Sequence, residues 1–104
     1  METAELQRVV REFTEKAGIE AALPSRLLDL TSEVGELAKE LLCGTAYGKQ
    51  EFKPTAGWSD ELGDVAFVLF VLAAQSGVDL ETATQRSMAK YKMRLGRSGT
   101  ADSG

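Results

Sequence analysis

Apolar residues recur along this chain at spacings of three and four, broken by glycine-rich stretches, and nowhere alternate with period two over a strand's length. The pattern predicts four helices and an all-α fold. The first runs from Thr3 to Ala17, with Leu6, Val9, Val10 and Phe13 on one face and Gly18 as its stop. The second runs from about Pro24 to Gly44, its packing seam being Leu27, Leu30, Val34, Leu37 and Leu41. Residues 44–57 hold three of the glycines and a proline and read as a loop. The third helix starts between Ala56 and Ser59 and ends at Gln75, with Gly77 as its stop. The fourth follows Val78, with Asp79 as cap, Glu81 in its first turn and a seam of Leu80, Ala83, Ser87, Tyr91 and Leu95. From residue 98 the chain is small, polar and glycine-rich and reads as a flexible tail, leaving 1–97 as one domain.

From Val65 to Ala74 the third helix is apolar all round, ten residues that are too few to cross a bilayer. A chain of 104 residues holds one small core and seldom surrounds such a helix, the alternative being that the first, second and fourth helices enclose it within a monomer. The expectation is that it packs against the same helix of a second subunit, in a dimer or a dimer of dimers.

The chain carries 12 Lys and Arg against 16 Asp and Glu, a formal net charge of −4, which speaks against indiscriminate nucleic-acid binding. No membrane partner is expected. A single cysteine, Cys43, allows no intrachain disulfide and points to a reducing, cytoplasmic setting. The absence of histidine excludes Ser-His-Asp and Cys-His relays and histidine-bound zinc. Acid, base or metal chemistry must therefore rest on carboxylates.

Two hexapeptides echo each other: Glu33-Val34-Gly35-Glu36-Leu37-Ala38 and Glu61-Leu62-Gly63-Asp64-Val65-Ala66. In each, two acids three residues apart point the same way from a helix, so four carboxyls can converge between two packed helices. Glycine inside a helix costs roughly 1 kcal/mol relative to alanine. Its repetition here suggests that a neighbouring backbone or a bulky ligand comes close at Gly35 and Gly63. Crowded acids favour a cation, and ligands that are all oxygen select Mg²⁺, with Mn²⁺ able to substitute. Asp29, Glu40 and Asp60 read as solvated outer members of the acidic stripe, and Lys39 as an ordinary surface partner of Glu36. On the fourth helix Arg86, Lys90, Arg94 and Arg97 form a basic edge suited to phosphate, although cations near a helix C-terminus are expected in any case. Trp58, one turn before Glu61, is placed either to stack on a base or to cover the core.

The two acid pairs in this order, Glu33/Glu36 and then Glu61/Asp64 after 24 residues, resemble the MazG-like superfamily of all-α nucleoside triphosphate pyrophosphohydrolases. The two glycines, the apolar third helix and the Gly77-Val78-Asp79-Leu80-Glu81 turn extend the likeness over about Glu5 to Arg97. The resemblance implies a four-helix bundle that cleaves a nucleoside triphosphate between its α and β phosphates, with Mg²⁺ held by Glu33, Glu36, Glu61 and Asp64. Glu33 or Glu36 would double as general base, with Lys90 and Arg94 on phosphate and Trp58 on the base. It also implies a homodimer or homotetramer. Family members carry a Lys and Asn combination late in the last helix, whereas here Lys90 and Lys92 are followed by Met93 and Arg94 with no Asn. Two other readings stand beside this one: a non-catalytic helical oligomerisation or adaptor module, and a relative specialised for dUTP or phosphoribosyl-ATP.

Overall fold

The computed structural model describes residues 1–98, which form four helices: α1 (Thr3–Ala17), α2 (Leu23–Gly44), α3 (Ala56–Gln75) and α4 (Leu80–Ser98). Of the tail expected from residue 98, Ser98 still belongs to α4, and the rest lies outside the described residues. The fold is all-α, and among the described residues no single helix is long and apolar enough to cross a membrane. α1 and α3 end alike. Gly18 and Gly77 take left-handed conformations, and the N–H groups of Ile19 and Val78 donate back to the carbonyls of Thr14 and Ala73, closing the last turns. Gly44 works differently, as the last residue of α2, and Gly96 lies inside α4.

α3 is the central element, packed by α2 and by α1. Its Val68, Val71 and Ala73 are buried with Val10 and Thr14 of α1, and Phe13 meets Phe67 edge to face at 6.1 Å. Leu6, Val9 and Phe13 stay partly exposed, so the covered strip of α1 is narrower than its apolar pattern. At the other end, buried Arg26 on α2 hydrogen-bonds the Ile19 carbonyl through Nη2 and pairs with Asp29 at 3.3 Å, tying the α1–α2 connection to α2.

The seam expected on α2 is only half covered. The less exposed positions run Arg26, Leu30, Glu33, Leu37, Glu40 and Gly44, a strict alternation of four and three. Leu27, Val34 and Leu41 are left 57%, 48% and 44% exposed. Leu30 and Leu37 lie in the middle of a stripe too wide for one neighbour. α3 covers that middle and the edge bearing Glu33 and Glu40, not the edge of leucines and valine. The acids expected to flank the core therefore stand partly within the α2–α3 contact.

α4 leaves α3 at 104° and makes its principal contacts with α1. The side-chain amide of Gln7 fixes the departure point by donating to the Val78 carbonyl at 2.7 Å and accepting the Leu80 N–H at 3.0 Å. Asp79 precedes the helix as expected, and its carboxylate accepts the Thr82 hydroxyl at 2.5 Å while Gln7 takes the first helical N–H. Leu80, Ala83 and Ser87 are half-buried, whereas Tyr91 and Leu95 at the far end of the expected seam are exposed. The radius of gyration, 16.6 Å, exceeds the roughly 13 Å of a compact domain of about 100 residues. Leu62 and Leu69 on α3 stay partly exposed, and an open apolar groove of about 560 Å³ runs past Leu23, Leu27, Leu69, Leu72, Val78 and Leu80.

Candidate metal centre

α2 and α3 run antiparallel, and their acids meet across that contact. Glu33, Glu61 and Asp64 each offer a carboxylate oxygen, and these atoms all lie within 4.8 Å of one another. Glu61 and Asp64 share a face of α3 because they are three residues apart, and Glu33 reaches them from α2. Glu33 and Glu61 are half-buried and Asp64 is exposed, which leaves the group open on one side.

Glu61 holds the least comfortable charge. Among the described residues its Oε2 is buried without a hydrogen-bond partner. Loss of hydration pushes its pKa above the ordinary 4.5, and the neighbouring charges of Asp64, Glu33, Glu36 and Glu40 add to the rise in that order. A carboxylate with no donor and several negative neighbours is stabilised either by a proton or by a cation. The donors are all hard oxygens, which suits Mg²⁺ or Mn²⁺ and gives no soft ligand for zinc or copper. The orphaned oxygen and the donor chemistry thus both fit a divalent ion.

Glu36, the fourth acid of the paired motif, stands outside this group. It is exposed and lies 3.9 Å from Lys39 Nζ, the surface pairing expected of it, although its charge still reaches Glu61. Asp29 is engaged by Arg26, and Asp60 is exposed. Trp58 is half-buried with its ring edge on Phe52 at 5.0 Å. Lys90 and Arg94 straddle Tyr91, at 5.4 and 5.6 Å from its ring centre. They belong to α4, which rests mainly on α1 and not on the helix pair that gathers the acids.

Two features differ from the sequence reading. A Cβ placed on Gly35 or Gly63 would meet nothing within 4 Å, so among the described residues no backbone comes close there, and the open space is compatible only with the other expected occupant, a bulky ligand. The close approaches fall instead at Gly44 and Gly57. Glu40, read as a solvated outer acid, is half-buried: it accepts the Thr55 hydroxyl and lies against Gly57. The available signal was spacing, since Glu40 follows Glu33 by seven residues and so returns to the same face.

The loop between α2 and α3 is tied down rather than free. The Lys53 N–H donates to the Gly44 carbonyl at 2.9 Å, Gln50 Nε2 donates to the same oxygen at 3.3 Å, and the Thr45 carbonyl accepts the N–H groups of Gly48, Lys49 and Gln50. Ala46 and Tyr47 take left-handed conformations within it, with φ of 49° and 59°.

Among known proteins, the MazG nucleotide pyrophosphohydrolase domain matches residues 21–96, which takes in α2, α3 and nearly all of α4. An uncharacterized protein of Bacillus subtilis (strain 168), YpjD, is 37% identical over 94 residues, covering 88% of this chain and 80% of that protein. No solved structure matches significantly.

Proposed function

Because the chain belongs to the MazG nucleotide pyrophosphohydrolase family, we propose that it is a Mg²⁺-dependent enzyme that hydrolyses a nucleoside triphosphate to the monophosphate and pyrophosphate. The observation that carries this reading is the convergence of Glu33, Glu61 and Asp64 around a desolvated oxygen that no donor satisfies. Mg²⁺ bound there, with Mn²⁺ able to replace it, supplies neutralisation of phosphate charge and acidification of water. Glu33, Glu61 and Asp64 hold the ion, and Glu36 adds negative charge at the rim. The proton of the attacking water passes to Glu33 or Glu36 as the bond between the α phosphorus and its bridging oxygen breaks. Glu36, exposed and held only by a long surface pairing, is the freer of the two to take it. Trp58, Lys90 and Arg94 serve the base and the phosphates, the latter two by way of α4.

The test is pyrophosphate release with Mg²⁺ from a panel of standard and modified deoxynucleotides that includes dUTP, with phosphoribosyl-ATP alongside. Turnover of at least one triphosphate is expected, with a drop of about 100-fold in Glu36→Gln and in Asp64→Asn. Undiminished turnover in both variants would refute the assignment.

The proposal includes a homodimer or homotetramer working in the cytoplasm. The exposed Leu27, Val34 and Leu41 edge, Leu62 and Leu69 of α3, and the outer part of α4 are more apolar surface than a monomer ordinarily leaves wet. Sedimentation equilibrium at micromolar concentration is expected to give a multiple of the 11.2 kDa chain mass. A monomer under those conditions would reject this part of the reading.

A further inference from the structure

The geometry points to Glu40, Thr55 and Gly57 as a clasp that sets the register of α3 on α2, with Glu40 a positioning residue for the metal centre rather than one of its ligands. The inference rests on the metal-binding reading above and deepens it. Three contacts carry it. The Thr55 hydroxyl, on the residue just before α3, donates to Glu40 Oε2 instead of capping its own helix. The Glu40 carboxylate then lies flat on the first turn of α3: a Cβ at Gly57 would stand 2.7 Å from Oε1, 2.8 Å from Cδ and 2.9 Å from Oε2. A methyl group there would require the Glu40 side chain to swing off this turn. An anion at that place is favoured by the partial positive charge of a helix N-terminus.

The consequence for the centre follows from helix stiffness. Seven residues back along α2 from Glu40 is Glu33, and seven residues forward along α3 from Gly57 is Asp64. At about 1.5 Å per residue both lie roughly 10 Å away, so fixing one pair fixes the other. Such a hold matters because the carboxylate oxygens of Glu33, Glu61 and Asp64 lie within 4.8 Å of one another, and repulsion between them favours separation of the two helices. The clasp opposes that separation from a point outside the repelling group.

The experiment is titration of the full chain with Mn²⁺ alone, following free Mn²⁺ by electron paramagnetic resonance, with circular dichroism confirming helix content. Wild type is compared with Glu40→Gln, Glu40→Ala, Thr55→Val and Gly57→Ala. Glu40→Ala and Gly57→Ala are expected to raise the Mn²⁺ Kd about tenfold or more, within the range for residues that orient ligands. Thr55→Val should fall between them and wild type. Glu40→Gln keeps an oxygen for the Thr55 hydroxyl and should bind within about twofold of wild type, a rescue that a ligand role would not allow. Gly57→Ala removes no acid and decides the matter if Glu40→Ala loses its helix content. Wild-type affinity in Gly57→Ala, or Glu40→Gln binding as weakly as Glu40→Ala, would overturn the clasp while leaving the metal centre standing. A folded wild type that fails to bind Mn²⁺ would overturn the metal-centre reading and the clasp with it.

Discussion

Glu61→Gln is expected to cut Mg²⁺-dependent pyrophosphate release by about 100-fold or more while leaving the metal-free chain at least as stable as wild type. The two effects share one cause. Burial and the charges of Asp64, Glu33, Glu36 and Glu40 all disfavour the ionised form of Glu61, and among the described residues its Oε2 finds no donor. Glutamine keeps the shape and removes the charge, so the repulsion disappears together with the ligand. The linkage has a definite sign. A folded-state pKa raised above the ordinary 4.5 means that the folded chain binds the proton more tightly than the unfolded chain. This contribution is fully present below about 4.5 and is lost as pH rises through the raised folded value. Metal-free wild type should therefore lose stability over that interval, and Glu61→Gln should lack this component of the slope. Mg²⁺ affinity should move the opposite way in wild type, rising with pH over the same interval because the ion competes with the proton. Thermal melts with chelator and with Mg²⁺ across acid to neutral pH check both halves. A variant that melts well below wild type without metal would contradict the account of Glu61.

The largest effect on stability is expected at Gly44. A Cβ there would stand 2.6 Å from Phe52 Cε1 and 2.8 Å from the backbone carbonyl oxygen of Lys53. The ring can turn, but the carbonyl is fixed by the loop that closes onto Gly44. Overpacking of this kind costs about 1–3 kcal/mol, against which the better helix propensity of alanine returns up to about 1 kcal/mol. Gly44→Ala should therefore melt lower by roughly 5–10 °C, given about 4–8 °C per kcal/mol for a domain near this size. Gly35→Ala and Gly63→Ala should move the other way, by up to about 1 kcal/mol each, because their Cβ atoms meet open space in a helix. If they stabilise the chain yet lose turnover, the open space is where substrate or a second chain sits. Equal melting of Gly44→Ala and wild type would show that the loop does not press on α2 as described.

The helices were legible because their ends are written locally. Gly18, Pro24, Gly77 and Asp79 act within a turn or two of where they stand, and the predicted bounds of α1 and the end of α3 coincide with those observed. Helical spacing placed Glu61 beside Asp64 on one face of α3, and the expected convergence of four acids takes in Glu33 from α2 but leaves Glu36 outside the group. What spacing does not give is the rotation of one helix against another. Apolar periodicity put Leu27, Val34 and Leu41 in the seam, but the edge bearing Glu33 and Glu40 faces α3, where Gly57 lies against the Glu40 carboxylate. The same rotation leaves Glu36, about 60° round from Glu33, at the rim with Lys39. The path of α4 was illegible for another reason. It depends on Gln7 reaching Val78 and Leu80, more than seventy residues away, and a lone surface-type glutamine carries no sign of that.

The central claim is that carboxylates from α2 and α3 share a divalent ion. It is tested most directly by the anomalous difference map of a crystal soaked in Mn²⁺. The account predicts a peak within coordination distance of oxygens of Glu33, Glu61 and Asp64. A map with those three groups well ordered and apart, and any manganese bound elsewhere, would contradict it.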